Sequence, residues 1–314
     1  MYGYAQLKTV DRQLSRSNGP DRQSGVALIQ ILLISMVLSL LALSFTKTAR
    51  DQVLMASQFD GRVNAQLAAY SAKSKVVFLM LSDRLQVEAA EDADIRKIND
   101  FKNQLNSFGD SLSLGDGLTL TVQDLNGLLP QRHPDNYFWY KFFESFSWSE
   151  TKIQETIGVW SDFQDPNIDS WILGVEEPET LPTGQPYLNG FAQNTRPIFW
   201  IFKDDGEVRN SILKVSDINA PHDMNILNMP RFLLKTLFDP AISQSIIENR
   251  GLRNSEVKAL IPEVSNNEFI YVHESGRLKV TISVDIGGAR WLETNTLYLT
   301  HLEDTPFKVL AIGE

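Results

Sequence analysis

A chain of 314 residues can bury a sizeable core, as one large domain or as two smaller ones. With 43% hydrophobic and 22% charged residues it has the composition of a folded protein, and a net charge of −10 argues against a generally basic, nucleic-acid-binding face. It contains no cysteine, which excludes a disulfide framework, a thiol nucleophile and thiolate-held zinc or iron–sulfur sites.

The segment before Val26 carries Lys8, Arg12, Arg16 and Arg22 against Asp11 and Asp21, a basic leader on an acidic chain. From Val26 to Thr46 the only polar residues are Gln30, Ser35, Ser39, Ser44 and Thr46, and no charge interrupts the run. At about 1.5 Å per helical residue this stretch spans about 31 Å, close to the hydrocarbon thickness of a bilayer. A membrane-spanning helix is therefore expected. A small-x-small cleavage site does not follow it; instead Val53, Leu54, Ala68, Val76, Val77, Leu79, Met80 and Leu81 keep a helical rhythm, so that residues 26 to about 85 read as one long helix.

Gly109, Gly115 and Gly117 then mark a change to strands. In "GLTLTVQDLNGLLP" Leu118, Leu120 and Val122 alternate with polar residues, and a turn at Asp124–Gly127 is expected, as at the edge of a hairpin. The aromatic-rich "HPDNYFWYKFFESFSWSETKIQETIGVWSDFQDP" reads as helix, its Tyr137, Phe138, Trp139, Tyr140, Phe142 and Phe143 spaced to pack inward. Alternation resumes through Leu278, Val280, Ile282 and Val284, turns at Gly287–Gly288, and continues through Leu297, Leu299 and Val309–Ile312. The fold class is α+β: a long helix, strands, a helical insertion and strands.

Catalytic signatures are missing. His133, His222, His273 and His301 are scattered without the HExxH spacing of a zinc hydrolase, and there is no G-x-S-x-G elbow, Walker A loop or G-x-G-x-x-G turn. The stretch "NILNMPRFLLKTLFDPAISQSIIENRG" has the form of a helix-hairpin-helix, but "FDPAISQ" lacks the turn glycines that approach a DNA phosphate. "KDDGE" at 203–207 lacks alternating ligands and reads as a turn. Asp162, Asp165, Asp169, Glu176 and Glu177 crowd a segment containing Pro166 and Gly174. Such hard oxygen donors in irregular structure suit either a calcium loop or a solvated acidic loop.

The basic leader ending in Gly25, followed by an apolar helix that continues into a folded domain, resembles a class III signal of the type IV pilin superfamily. That resemblance implies cleavage between Gly25 and Val26 by a prepilin peptidase. Most pilins carry glutamate at the fifth mature position; here it is Gln30, an amide that puts no carboxylate into the bilayer. Several segments in order resemble the K-type minor pseudopilin of type II secretion systems: "SGVALIQILL", "LTVQDLNGLLP", "IGVWSDFQDPN" with "GVEEPETLPTGQPY", and "VSDINAPHDMNILNMPRFLLKTLF" with "SQSIIENRG". Departures are Phe163 where the family favours Trp, Val175 for Ala, and "NILNMP" for the commoner Asn-Thr-Ala.

The resemblance implies a type IV pilin-like long N-terminal helix and antiparallel sheet with a large α-helical insertion. Its expected parts are a leader (1–25), a transmembrane helix (26–46), the pseudopilin helix with the first core strands (47–129), the insertion (130–265) and C-terminal core strands (266–314). It further implies a non-enzymatic subunit at the tip of a pseudopilus, anchored once in the inner membrane with its C-terminal domain in the periplasm. The implied partners are the I- and J-type minor pseudopilins and the major pseudopilin. Calcium in the acidic segment is the one cofactor the family suggests. The alternatives are a minor pilin of a type IV pilus, which lacks the helical insertion, and a signal-anchored periplasmic enzyme.

Overall fold

The computed structural model describes residues 23–84, 105–115, 117–166, 188, 190–250, 270–271, 274–300, 305 and 307–313. The chain divides into two compact units, Met1–Asp60 and Gly61–Glu314. The described part of the first is helix alone. Helix α1 (Gln23–Arg84) begins there, and its apolar side chains from Val26 to Phe45 are exposed on every side. Several hydroxyls within it turn back on their own backbone: Ser39 Oγ donates to Ser35 O at 2.7 Å and Thr46 Oγ1 to Ala42 O at 2.8 Å. They therefore place no unmet donor on the helix surface. Val53 and Leu54, which share the helical rhythm of the later apolar residues, are exposed.

In the second unit α1 acquires a covered face. Ala65, Ala69, Ala72, Val76 and Leu79, at helical spacing, are buried against Leu120, Val122, Leu278, Val280, Ile282, Val284, Leu297 and Leu299. Those residues line one face of a five-stranded antiparallel sheet, ordered β1 (Phe108–Ser113), β2 (Leu118–Asp124), β7 (Arg277–Ile286), β8 (Ala289–Leu299) and β9 (Phe307–Gly313). The alanines let the helix come close, while the β-branched and leucine side chains alternate inward from the strands. Gly287 (φ +59°) and Gly288 (φ +81°) form the two-residue β7–β8 hairpin, a turn that needs positive φ at both central positions.

Strands β2 and β7 are neighbours in the sheet, with Leu118 opposite Val284 and Asp124 opposite Leu278. Everything between them in sequence is thus inserted between two adjacent strands. The Asp124–Gly127 turn corrects the hairpin expectation: it is a 3-10 turn (Leu125–Gly127) that leads away from the sheet. There β3 (Leu129–Pro130) runs parallel to β4 (Ser216–Asp217), and β5 (Met224–Asn225) runs parallel to β6 (Ile270–Tyr271).

The described helices of this region are α2 (Tyr137–Glu144), α3 (Glu150–Gln164), α4 (Arg196–Ile201), α5 (Gly206–Val215), α6 (Arg231–Leu237) and α7 (Pro240–Glu248). Asn136 and Ser149 cap α2 and α3 with their side chains, and Asp205 of "KDDGE" caps α5 by accepting from Val208 N at 3.1 Å. Their apolar faces form a second core, separate from that of the sheet, around Trp139, Phe142, Phe143, Trp160, Ile212 and Leu234. The aromatic run of α2 does pack inward. Trp139 lies edge-on to Trp160 with ring centroids 4.7 Å apart, and Phe143 stacks on Trp148 at 4.9 Å.

Candidate functional site

Among the described residues one helix is long and apolar enough to cross a membrane by length and composition, with a mean hydropathy of 2.7 in its apolar stretch. A helix apolar on every face has no core of its own to bury. Its surface suits lipid tails or other apolar helices. The expected processing point, the Gly25–Val26 bond, lies near the start of α1, and Gln30 is exposed one turn later. Further along, Leu67, Tyr70 and Phe78 leave an exposed apolar stripe on α1, on the face away from the buried alanines.

A buried polar node fastens the inserted region to the sheet. Gln123 Nε2, at the end of β2, donates to Asn228 O at 2.7 Å, Asn228 Nδ2 donates to Asn126 Oδ1 at 3.1 Å, and Ser107 Oγ lies 2.8 Å from Asn228 Oδ1. Asp124 accepts from Asn126 N at 3.1 Å, from Ser275 N at 3.0 Å, and from Ser275 Oγ. Burial nevertheless pushes its carboxyl up to about 6, outweighing these three donors. The glycine of "DLNG" is required by space: a Cβ on Gly127 would lie 2.1 Å from Asn228 O. Arg250 completes the junction by donating to Met229 O and lying 4.0 Å above the Phe108 ring. So "LTVQDLNGLLP" and "NILNMP", set far apart in sequence, are two halves of one joint.

Of the expected calcium ligands, Asp162 and Asp165 are described; Asp169, Glu176 and Glu177 lie outside the described residues. Asp162 is not in a loop. It is fully buried in the last turn of α3, and Asp165 is the residue that caps that helix. Spacing of three puts both carboxylates on one helix face, at the negative end of the helix dipole, where a cation is favoured and a second carboxylate is not. The neighbouring Phe163 is also fully buried, its ring 6.0 Å from Trp200.

Two of the four histidines are less scattered than their sequence positions suggest, while His273 and His301 lie outside the described residues. His133 and His222 meet with ring centroids 4.9 Å apart and planes at 82°, with Asp135 beside them. The sequence does carry a signal for this pair: each histidine is followed within two residues by an aspartate, in "HPD" and "PHD".

No family model matches this sequence, and no curated protein matches it either. A solved structure does. A chain of the GspK-GspI-GspJ complex from the enterotoxigenic Escherichia coli type 2 secretion system superposes with a TM-score of 0.54 at 12% identity. The match covers 85% of this chain and 99% of that one. The fold is pseudopilin-like. At this identity the likeness concerns architecture, and it takes in the pseudopilin-like fold from helix to sheet, with its further helices.

Proposed function

We propose that this chain is a minor pseudopilin of a type II secretion system, of the K type, acting at the tip of the pseudopilus in the export of folded proteins. The observation that carries the reading is the inserted helical region between β2 and β7 of a pseudopilin-like fold, together with near-complete coverage of a chain from a pseudopilin complex. On this reading residues 1–25 are removed by prepilin peptidase at Gly25–Val26. Residues 26–46 hold the chain in the inner membrane, and the rest lies in the periplasm. Residues 130–265 form the insertion domain, flanked by core segments 47–129 and 266–314.

Function is then assembly and not catalysis. The apolar helix leaves the bilayer to pack with the helices of major and minor pseudopilins, where Leu67, Tyr70 and Phe78 offer contact surface. An inserted domain of this size would obstruct the stacking of another subunit above it, which suits a tip. Gln30 in place of the usual glutamate fits a subunit not recruited by pairing that carboxylate with a neighbour's N-terminal amine. The test is co-purification of the full chain with I- and J-type minor pseudopilins, with mass spectrometry of its N-terminus. Expected are a ternary complex and a chain starting at Val26, with the Gly25→Leu variant left uncut. A correctly cut chain that binds neither partner would remove the K-type assignment; an uncut chain would remove the pilin-type route.

Calcium belongs to the same proposal. Asp162 and Asp165 would hold it through carboxylate oxygens, and the ion would offset their charge at the helix end. At calcium a hundredfold above its Kd, binding stabilises the folded chain by about 2.7 kcal/mol. Chelation by EGTA is thus expected to lower Tm by several degrees in the parent and not in Asp162→Asn. A parent Tm indifferent to EGTA and to millimolar calcium would refute the site.

A further inference from the structure

Two loops of the inserted region converge on a group of side chains that the assembly role does not use. The first, between β3 and α2, carries His133 and Asp135; the second, between β4 and β5, carries His222. One ligand atom from each of the three residues lies within 4.8 Å of the others. From this geometry we infer that His133, Asp135 and His222 form a binding site for one zinc-class divalent metal ion.

Donor chemistry supports the assignment. Two imidazoles and one carboxylate are the nitrogen and oxygen ligands that zinc and its first-row neighbours take, and they leave a fourth tetrahedral position for water. Calcium, which prefers six or more oxygens, is poorly served by two rings. With zinc–nitrogen bonds of about 2.1 Å, tetrahedral ligand atoms stand about 3.4 Å apart. Closing from the present separation asks for little more than an ångström, which side-chain rotation of the exposed Asp135 and the half-buried rings supplies.

The loops are held for the purpose. Asn136, itself buried, caps α2 through Oδ1, which accepts from Phe138 N at 3.0 Å, while its Nδ2 donates to His222 O at 2.9 Å. One side chain thereby ties the two loops together directly. Behind them β3 and β4 pair through Pro130 and Asp217, and Gln131 Nε2 lies 3.0 Å from Ser216 Oγ. Asp217 in turn receives Asn219 N at 2.9 Å and the Lys279 ammonium at 3.1 Å. Ligands on loops pinned in this way lose little entropy on binding.

Asp223 Oδ1 stands 3.5 Å from His222 Nδ1. Arg132, the nearest cation in sequence, is held by its Nε donating to Ala192 O at 3.1 Å, and its charge still reaches His133. Burial first, and His222 second, lower the His133 pKa below its ordinary value. Metal bound here would staple the start of the inserted region to the segment leading back toward the Asn228 joint.

The test uses the full chain in detergent micelles, stripped with chelator and titrated with zinc by calorimetry, with metal content measured after desalting. Cobalt(II) serves as a spectroscopic probe, since tetrahedral nitrogen and oxygen ligation gives visible d–d absorption. Expected is one zinc ion per chain, undisturbed by millimolar calcium and by Asp162→Asn. Affinity should fall at least tenfold in His133→Gln and in His222→Gln, and by a smaller factor in Asp135→Asn. The glutamines keep polarity and approximate size, and near-UV circular dichroism of the Trp139–Trp160 cluster checks that each variant is folded. Zinc binding weaker than about 100 µM (a ΔG° poorer than about −5.5 kcal/mol by the usual conversion), or undiminished in a folded His133→Gln/His222→Gln double variant, overturns the site.

Discussion

Trp139→Ala is expected to cost the inserted region about 3–5 kcal/mol, the usual loss when a fully buried tryptophan is truncated in a core that cannot collapse around the gap. The ring touches Trp160, Phe142 and Phe143, so its removal opens a cavity among aromatic neighbours already held by their own helices. A polar loss adds to it. Trp139 Nε1 donates to Pro130 O at 2.9 Å, and the same carbonyl accepts from His133 N at 3.2 Å. Trp139→Phe keeps most of the buried area but loses that donor, and should cost roughly 1–3 kcal/mol. Urea unfolding followed by near-UV circular dichroism reads both. A loss under about 1 kcal/mol for the alanine variant would mean that the second core is not organised around this residue.

Stability of the joint at Asp124 should depend on pH in a direction unusual for a carboxylate. Its folded-state pKa of about 6 lies above the ordinary 3.8, so at intermediate pH the folded chain keeps a proton that the unfolded chain has released. Stability from this group is therefore greatest in acid, falls as pH rises from about 4 to about 6, and is fully lost above that. The whole change amounts to about 3 kcal/mol, of which about 2 kcal/mol falls between pH 4.5 and 7. Asp124→Asn cannot titrate. Whatever its absolute stability, the difference between parent and variant should shift by that amount across the interval when unfolding is measured at both pH values. Parallel pH profiles would show that the carboxyl titrates near its ordinary value in the fold.

Much of the architecture was legible in order along the chain, and for identifiable reasons. A charge-free run from Val26 to Thr46 suits a helix with apolar surroundings, because backbone groups placed in lipid must bond within their own segment. The alternation of Leu278, Val280, Ile282 and Val284, and the paired glycines 287–288, specify a two-sided strand and a tight hairpin locally. The helical spacing of the aromatics in α2 and the capping residues Asn136 and Ser149 likewise need no distant partner to be read.

Other features were decided by contacts that no local pattern encodes. Val53 and Leu54 have the same periodicity as Val76 and Val77, yet only the latter meet the sheet and are buried. "DLNG" looks like the tip of a hairpin, but it turns the chain out of the sheet, because Asn228, about a hundred residues later, supplies the bonds that a returning strand would have made. Asp162 is grouped in the sequence with the acidic residues of the candidate calcium loop and proves to be the buried end of α3. His133 and His222 illustrate the limit most plainly. Nothing in a linear chain measures the distance between two residues on different loops, and the pairing of β3 with β4, set by the fold around them, brings their rings to 4.9 Å. By itself the sequence determined the long apolar helix, the alternating strands of the sheet with the β7–β8 hairpin, and the aromatic helix, since those follow from local periodicity and chain chemistry. Which segments share a core, and which side chains share a site, was decided by tertiary structure, since burial and proximity belong to pairs of segments and not to either one.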